Sequence, residues 1–96
     1  MEITSKQRAA LRAMANTIDP VIHVGKDGVT DNIIKQAYDA LKARELIKGQ
    51  VLKNAPCDAR QACDELCKRL GASPVQCIGQ RFVIYRESDD NKKIFI

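Results

Sequence analysis

The sequence predicts one α/β domain, a mixed four-stranded sheet with helices packed on it, in the element order αβαβαββ. Three stretches with apolar residues at helical spacing each follow a capping residue, and four short runs rich in β-branched or aromatic residues alternate with them. Only the last two runs are joined by a turn too short to hold a helix. A strand–helix–strand connection makes its strands parallel neighbours and a hairpin makes them antiparallel, so the sheet is expected to be mixed. At 96 residues, 45% hydrophobic and 29% charged, the chain has the length for one core and a composition that folds, which excludes wholesale disorder and low-complexity classes.

Thr4 with Gln7 three residues later is a capping-box pattern ahead of Leu11, Met14 and Ile18, which predicts a first helix over Ser5 to Asn16 with Arg8 and Arg12 on another face. Asp19-Pro20 breaks that helix, and Val21 to Val24 reads as a strand. Gly25-Lys26-Asp27-Gly28 ends the strand. Thr30 caps a second helix to about Arg44, with Asp31 favourable to its dipole and Ile34, Ala37, Tyr38 and Leu41 as the buried stripe. Leu46 to Lys53 is a second strand, weakened at Gly49, where no side chain can pack. After the loop Asn54-Ala55-Pro56, Asp58 with Gln61 repeats the cap pattern before Ala62, Cys63, Leu66 and Leu70, and Gly71 closes the third helix. Pro74 opens Val75 to Ile78, Gly79-Gln80-Arg81 turns the chain, and Phe82 to Arg86 completes a hairpin. The domain core is thus residues 3–86. Glu87 to Lys93 reads as a polar tail, and Ile94-Phe95-Ile96 either docks or is the stub of a longer chain.

A net charge of +4 and a pI near 9.0 permit a polyanionic partner, although the excess is spread along the chain and forms no basic tail. No apolar run approaches the roughly 20 residues that span a bilayer, and the N-terminus lacks the apolar core of a signal peptide, so a cytoplasmic protein is expected. Cys57, Cys63, Cys67 and Cys77 match no CxxC zinc or redox spacing and are read as reduced thiols packed in or near the core, with no metal bound. His23 is the only histidine and lies in a strand, and no acid–base pair can be named, so no catalytic set emerges. The aromatics Tyr38, Phe82, Tyr85 and Phe95 are too few and too much committed to packing for a stacking platform of the kind found in RRM or OB folds.

The one local motif with a mechanism is Gly25-Lys26-Asp27-Gly28. Two glycines let a backbone approach a phosphate, lysine supplies charge, and the following helix offers free N–H groups at its start. The same four residues also suit an ordinary strand-to-helix turn. They match neither a Walker loop nor a Rossmann fingerprint. The GxxG clamp of KH domains is closer in chemistry, though there the loop joins two helices.

Taken together, Ile3-Thr4-Ser5-Lys6-Gln7-Arg8 with Leu11-Arg12, Val24 to Thr30 around the GKDG loop, Glu45-Leu46-Ile47-Lys48, and Gln76 to Arg86 resemble the bacterial YhbY family, the stand-alone form of the CRM (chloroplast RNA splicing and ribosome maturation) domain. The resemblance spans roughly residues 3 to 86, with the segments in the family's order. It implies a two-layer α/β sandwich similar to the C-terminal domain of translation initiation factor three. It also implies RNA binding, with ribosomal RNA or a large-subunit precursor as partner and ribosome maturation as the role. Neither catalysis nor a cofactor or small-molecule substrate is implied, and a monomer is expected. Residue by residue, RNA contact is carried by Gly25, Lys26, Asp27 and Gly28, with Thr30 at the head of the next helix and Lys6, Arg8 and Arg12 on the first helix. The chain departs from the family pattern at Gly49 and Cys77, and Asp27 puts a negative charge in a loop meant to face phosphate. Two other classes fit the residues less well: a protein-interaction module using the sheet face or the C-terminal tail, and a small phosphate-binding enzyme, which would lack a general base.

Overall fold

The computed structural model describes residues 3–88 and 92–94. Its elements are α1 (Ser5–Ala15), β1 (Pro20–Val24), α2 (Asp31–Arg44), β2 (Leu46–Val51), α3 (Ala59–Leu70), β3 (Ser73–Ile78) and β4 (Arg81–Tyr85). Both capping boxes form: Thr4 with Gln7 on α1, and Asp58 with Gln61 on α3. Each pairs the cap side chain with the N3 amide and the N3 side chain with the cap amide, satisfying two otherwise orphaned donors. Gly71 ends α3 in the left-handed region at φ 66°. The second strand stops at Val51, two residues short of the expected Lys53, because residues 52–55 turn, with the Ala55 N–H donating to the Leu52 carbonyl.

The sheet order is β1-β2-β4-β3, with β1 parallel to β2 and the other neighbours antiparallel. The α/β class, the element order and the mixed sheet are as expected. One expected adjacency is not: β4 inserts between β2 and β3, so the second crossover joins parallel strands that do not touch. Both crossovers step the same way across the sheet, and with a constant hand that puts both helices on one face. Accordingly α2 and α3 share a core with Ile22, Val24, Ile47, Val51, Phe82 and Ile84. That half is the two-layer sandwich. On the opposite face, α1 adds a further layer through Leu11 and Ala15, which pack with Leu46, Val75, Val83 and Tyr85.

Three residues depart from the expected core. Met14 is exposed because the buried face of α1 is Leu11 and Ala15, with Ile18 partly buried beyond the helix end, and Met14 lies beside that face. Tyr38 is 42% exposed, at the margin of the Ile34–Ala37–Leu41 stripe, and its ring carries the Arg86 guanidinium 5.5 Å from the centroid. Gly49 is no weakness: it pairs with Phe82, and a Cβ there would lie in the Phe82 ring, 2.7 Å from Cε1 and Cε2. The glycine is what lets that aromatic cross β2 and fill the core.

The four cysteines are free thiols, Cys63 and Cys67 buried and Cys57 and Cys77 half-buried. A thiol hydrogen bond between Cys63 and Cys67, together with burial, pushes the Cys63 thiol far above its ordinary value. Burial raises Cys57 and Cys77 as well.

The segment after β4, expected to be a polar tail, is partly docked. Glu45 follows α2 at φ 68°, fully buried, with its N–H on the Leu41 carbonyl at 2.7 Å. Its carboxylate accepts from the backbone N–H groups of Ser88 at 2.6 Å, Lys93 at 2.5 Å and Ile94 at 2.7 Å. Ser88 and Ile94 are buried, and Ile94 joins the α1 cluster. Phe95 and Ile96 lie outside the described residues.

Candidate nucleic-acid interface

The GKDG segment is a tight turn. The Gly28 N–H donates to the Gly25 carbonyl at 3.0 Å, which leaves Lys26 and Asp27 exposed at the tip. Its two glycines are not equivalent. Gly28 is buried at φ 73°, a backbone that L side chains rarely adopt, and a Cβ there would press on Pro56 Cγ at 3.3 Å. Gly25 has no such φ, and its Cβ would make an ordinary 3.8 Å contact with Leu52.

Immediately beyond the turn, Thr30 caps α2, its hydroxyl oxygen accepting from the Ile33 N–H at 3.2 Å. The capped helix start follows directly on the lysine-bearing turn, so backbone dipoles and the Lys26 charge are both available to an anion. Asp31 opposes this, but Arg69 of α3 stands 3.8 Å from its carboxylate. Both side chains are at least half exposed, so the pair contributes little to stability and mainly offsets charge locally.

The 52–58 segment buttresses the turn. The Leu52 N–H donates to the Val24 carbonyl at 2.8 Å, tying the end of β1 to the loop after β2. Gly28, Val29, Pro56, Cys57, Gln61 and Glu65 surround an open hollow of about 410 Å³ beside the turn. In the sequence Asn54-Ala55-Pro56 reads as a plain loop. The signal for its role, a proline that packs against a positive-φ glycine, is a long-range contact.

The first-helix residues divide. Lys6 and Arg12 are exposed, whereas Arg8 is half-buried and its Nε donates to the Pro74 carbonyl at 3.2 Å. Arg8 therefore ties α1 to β3 through its Nε. The expected site is also not one cluster: the GKDG turn follows edge strand β1, and Arg8 is fixed at the other edge strand, β3. His23 is exposed on β1. Among the described residues no group of three or more His, Cys, Asp or Glu side chains is placed to hold a metal, and no helix is long and apolar enough to cross a membrane.

The sequence matches the CRS1 / YhbY (CRM) domain over residues 3–86. The chain belongs to that family. Among CRM relatives, the probable RNA-binding protein YqeI of Bacillus subtilis is 46% identical over 92 residues, covering 96% of both chains. The probable RNA-binding protein MJ0652 of Methanocaldococcus jannaschii is 34% identical over 96% of this chain and 69% of its own. The solution structure of SAV1595 from Staphylococcus aureus, a candidate RNA-binding protein, matches with a TM-score of 0.82 at 43% identity, covering 99% of each chain. The CRM match reaches from Ile3 to Arg86 and so takes in α1, the GKDG turn and both strands of the hairpin.

Proposed function

We propose that this CRM chain is a non-enzymatic, cytoplasmic RNA-binding protein, acting as a monomer on ribosomal RNA in large-subunit precursors to assist their maturation. The observation that carries this is the GKDG turn: a lysine held at the tip of a turn closed by a positive-φ glycine, at the mouth of a capped helix. Such a turn binds phosphate through charge and backbone and reads no base directly. The names of the relatives support an RNA partner, and its being ribosomal RNA is what the family resemblance implies.

Two variants test it against a third. Lys26→Ala removes one phosphate contact and is expected to reduce the slope of log K against log salt by about 0.7 to 1, without changing which RNA is preferred. Gly28→Val, which cannot hold φ 73° beside Pro56, is expected to abolish binding while the fold survives. Gly25→Ala, in open contact, is expected to bind as wild type. If Lys26→Ala and Gly28→Val both fold and still sediment with ribosomal precursors at wild-type levels, the turn is only a turn.

A further inference from the structure

The sheet face opposite α2 and α3 is only half covered. α1 occupies the end where Leu46 and Ser73 flank Tyr85. At the other end the register sets four residues abreast: His23 beside Gln50, Gln50 beside Arg81, and Arg81 beside Ile78. Their strand neighbours Ile22, Val24, Val51, Phe82 and Cys77 pack toward α2 and α3, so the two-residue period turns these four side chains to the open face. His23, Arg81 and Ile78 are exposed, Ile78 at 65%. The next row holds Lys48, Val83 and Gln76. Lys48, Arg81, Gln76 and Ile78 join Asn16, at the end of α1, around a shallow hollow of about 200 Å³.

We propose that this open half of the sheet is a second RNA contact, a track for a single strand that runs from the GKDG turn across the four strands to the end of α1. It rests on the RNA-binding reading above and names the form of RNA that reading leaves open. Three features select the occupant. Both charged side chains of the two rows, Lys48 and Arg81, are basic, and neither row holds a carboxylate. His23 stands two residues before Gly25, so the row starts at the foot of the turn. The imidazole and the exposed Ile78 offer surfaces for the faces of unstacked bases, and the amides of Gln50, Gln76 and Asn16 can meet their Watson–Crick edges; a duplex hides both. Four strands at about 4.8 Å spacing make the row about 14 Å long. The track also connects the turn, at the β1 edge, to α1, whose Arg8 is fixed at the β3 edge.

Lys48→Ala with Arg81→Ala removes two cations from the track and none from the turn. With single-stranded mixed-sequence RNA, its salt slope is expected to fall by about 1.4, with a loss on the order of tenfold in affinity near 0.1 M salt. Lys42→Ala with Lys68→Ala, on helices of the other face, controls for net charge and is expected to leave the slope nearly unchanged. Photocrosslinking of wild type to 4-thiouridine RNA is expected to label peptides containing His23 and Ile78, a readout independent of any variant's folding. Wild type that binds no RNA overturns the RNA reading and this track with it. Wild type that binds, is weakened by Lys26→Ala, yet is matched by the Lys48/Arg81 variant and leaves those peptides unlabelled overturns the track alone and leaves the face to a protein partner. Equal affinity of the track for duplex and single strand also overturns it.

Discussion

A methyl group at position 49 would have to share space with the Phe82 ring, and neither β2 nor β4 is free to retreat, since both are central strands. Gly49→Ala is therefore expected to destabilise by about 1 to 3 kcal/mol, the range for forcing extra volume into a packed core, even though alanine is ordinarily the better strand residue. A thermal melt checks the sign, and Phe82→Leu in the same chain is expected to recover part of the loss. From the sequence alone Gly49 reads as a defect, because its partner stands 33 positions away. Arg8 is similar. Its spacing from Arg12 suggests a shared basic face, but the carbonyl that claims it belongs to Pro74. Arg8→Glu is thus expected to lower the melting temperature, whereas Arg12→Glu, on an exposed side chain, is not. By contrast the caps at Thr4, Thr30 and Asp58 were legible at once, since their partners lie three residues on.

At the scale of elements, the strap described at residues 86–88 and 92–94 is held by one carboxylate. Burial alone would raise the pKa of Glu45, but the N–H groups of Ser88, Lys93 and Ile94 and the nearby Lys92 charge outweigh it and hold the group below its ordinary 4.5. The folded carboxyl thus binds its proton less readily than the unfolded one, so the strap's contribution is complete above about pH 4.5 and is lost as pH falls through the lower folded value. Hydrogen exchange at Ser88, Lys93 and Ile94 is expected to quicken over that acid range before the sheet opens. Glu45→Gln, which replaces one acceptor oxygen with a donor facing backbone N–H groups, is expected to release the strap at every pH and cost about 1.5 to 3 kcal/mol. Composition hid this element. A run as polar as Glu87 to Lys93 gives no hydrophobic signal, and what holds it is a buried charge 43 residues or more upstream.

For the whole molecule, what the sequence could not convey is which strand lies in the middle and which face of the sheet stays open. Strand existence follows from local pattern, whereas strand order is decided by contacts between distant segments, and the open face becomes visible only when His23, Gln50, Arg81 and Ile78 are brought abreast. The GKDG turn was legible because its chemistry lies in four consecutive residues. The central position of β4 bears on how the protein comes to exist. The last strand in chain order is the one that joins the pair β1–β2 to β3, so a chain still lacking it has one two-stranded pair and one lone strand, each with an unpaired inner edge, and both cores lack the side chains β4 supplies. A fragment of residues 1–79 is expected to show no cooperative melt, and adding a peptide of residues 80–96 is expected to restore one, read by circular dichroism. During translation nothing upstream can finish folding until β4 has left the ribosome, so the sheet closes in a single step, when residues 81–85 become free to pair with β2 and β3 together.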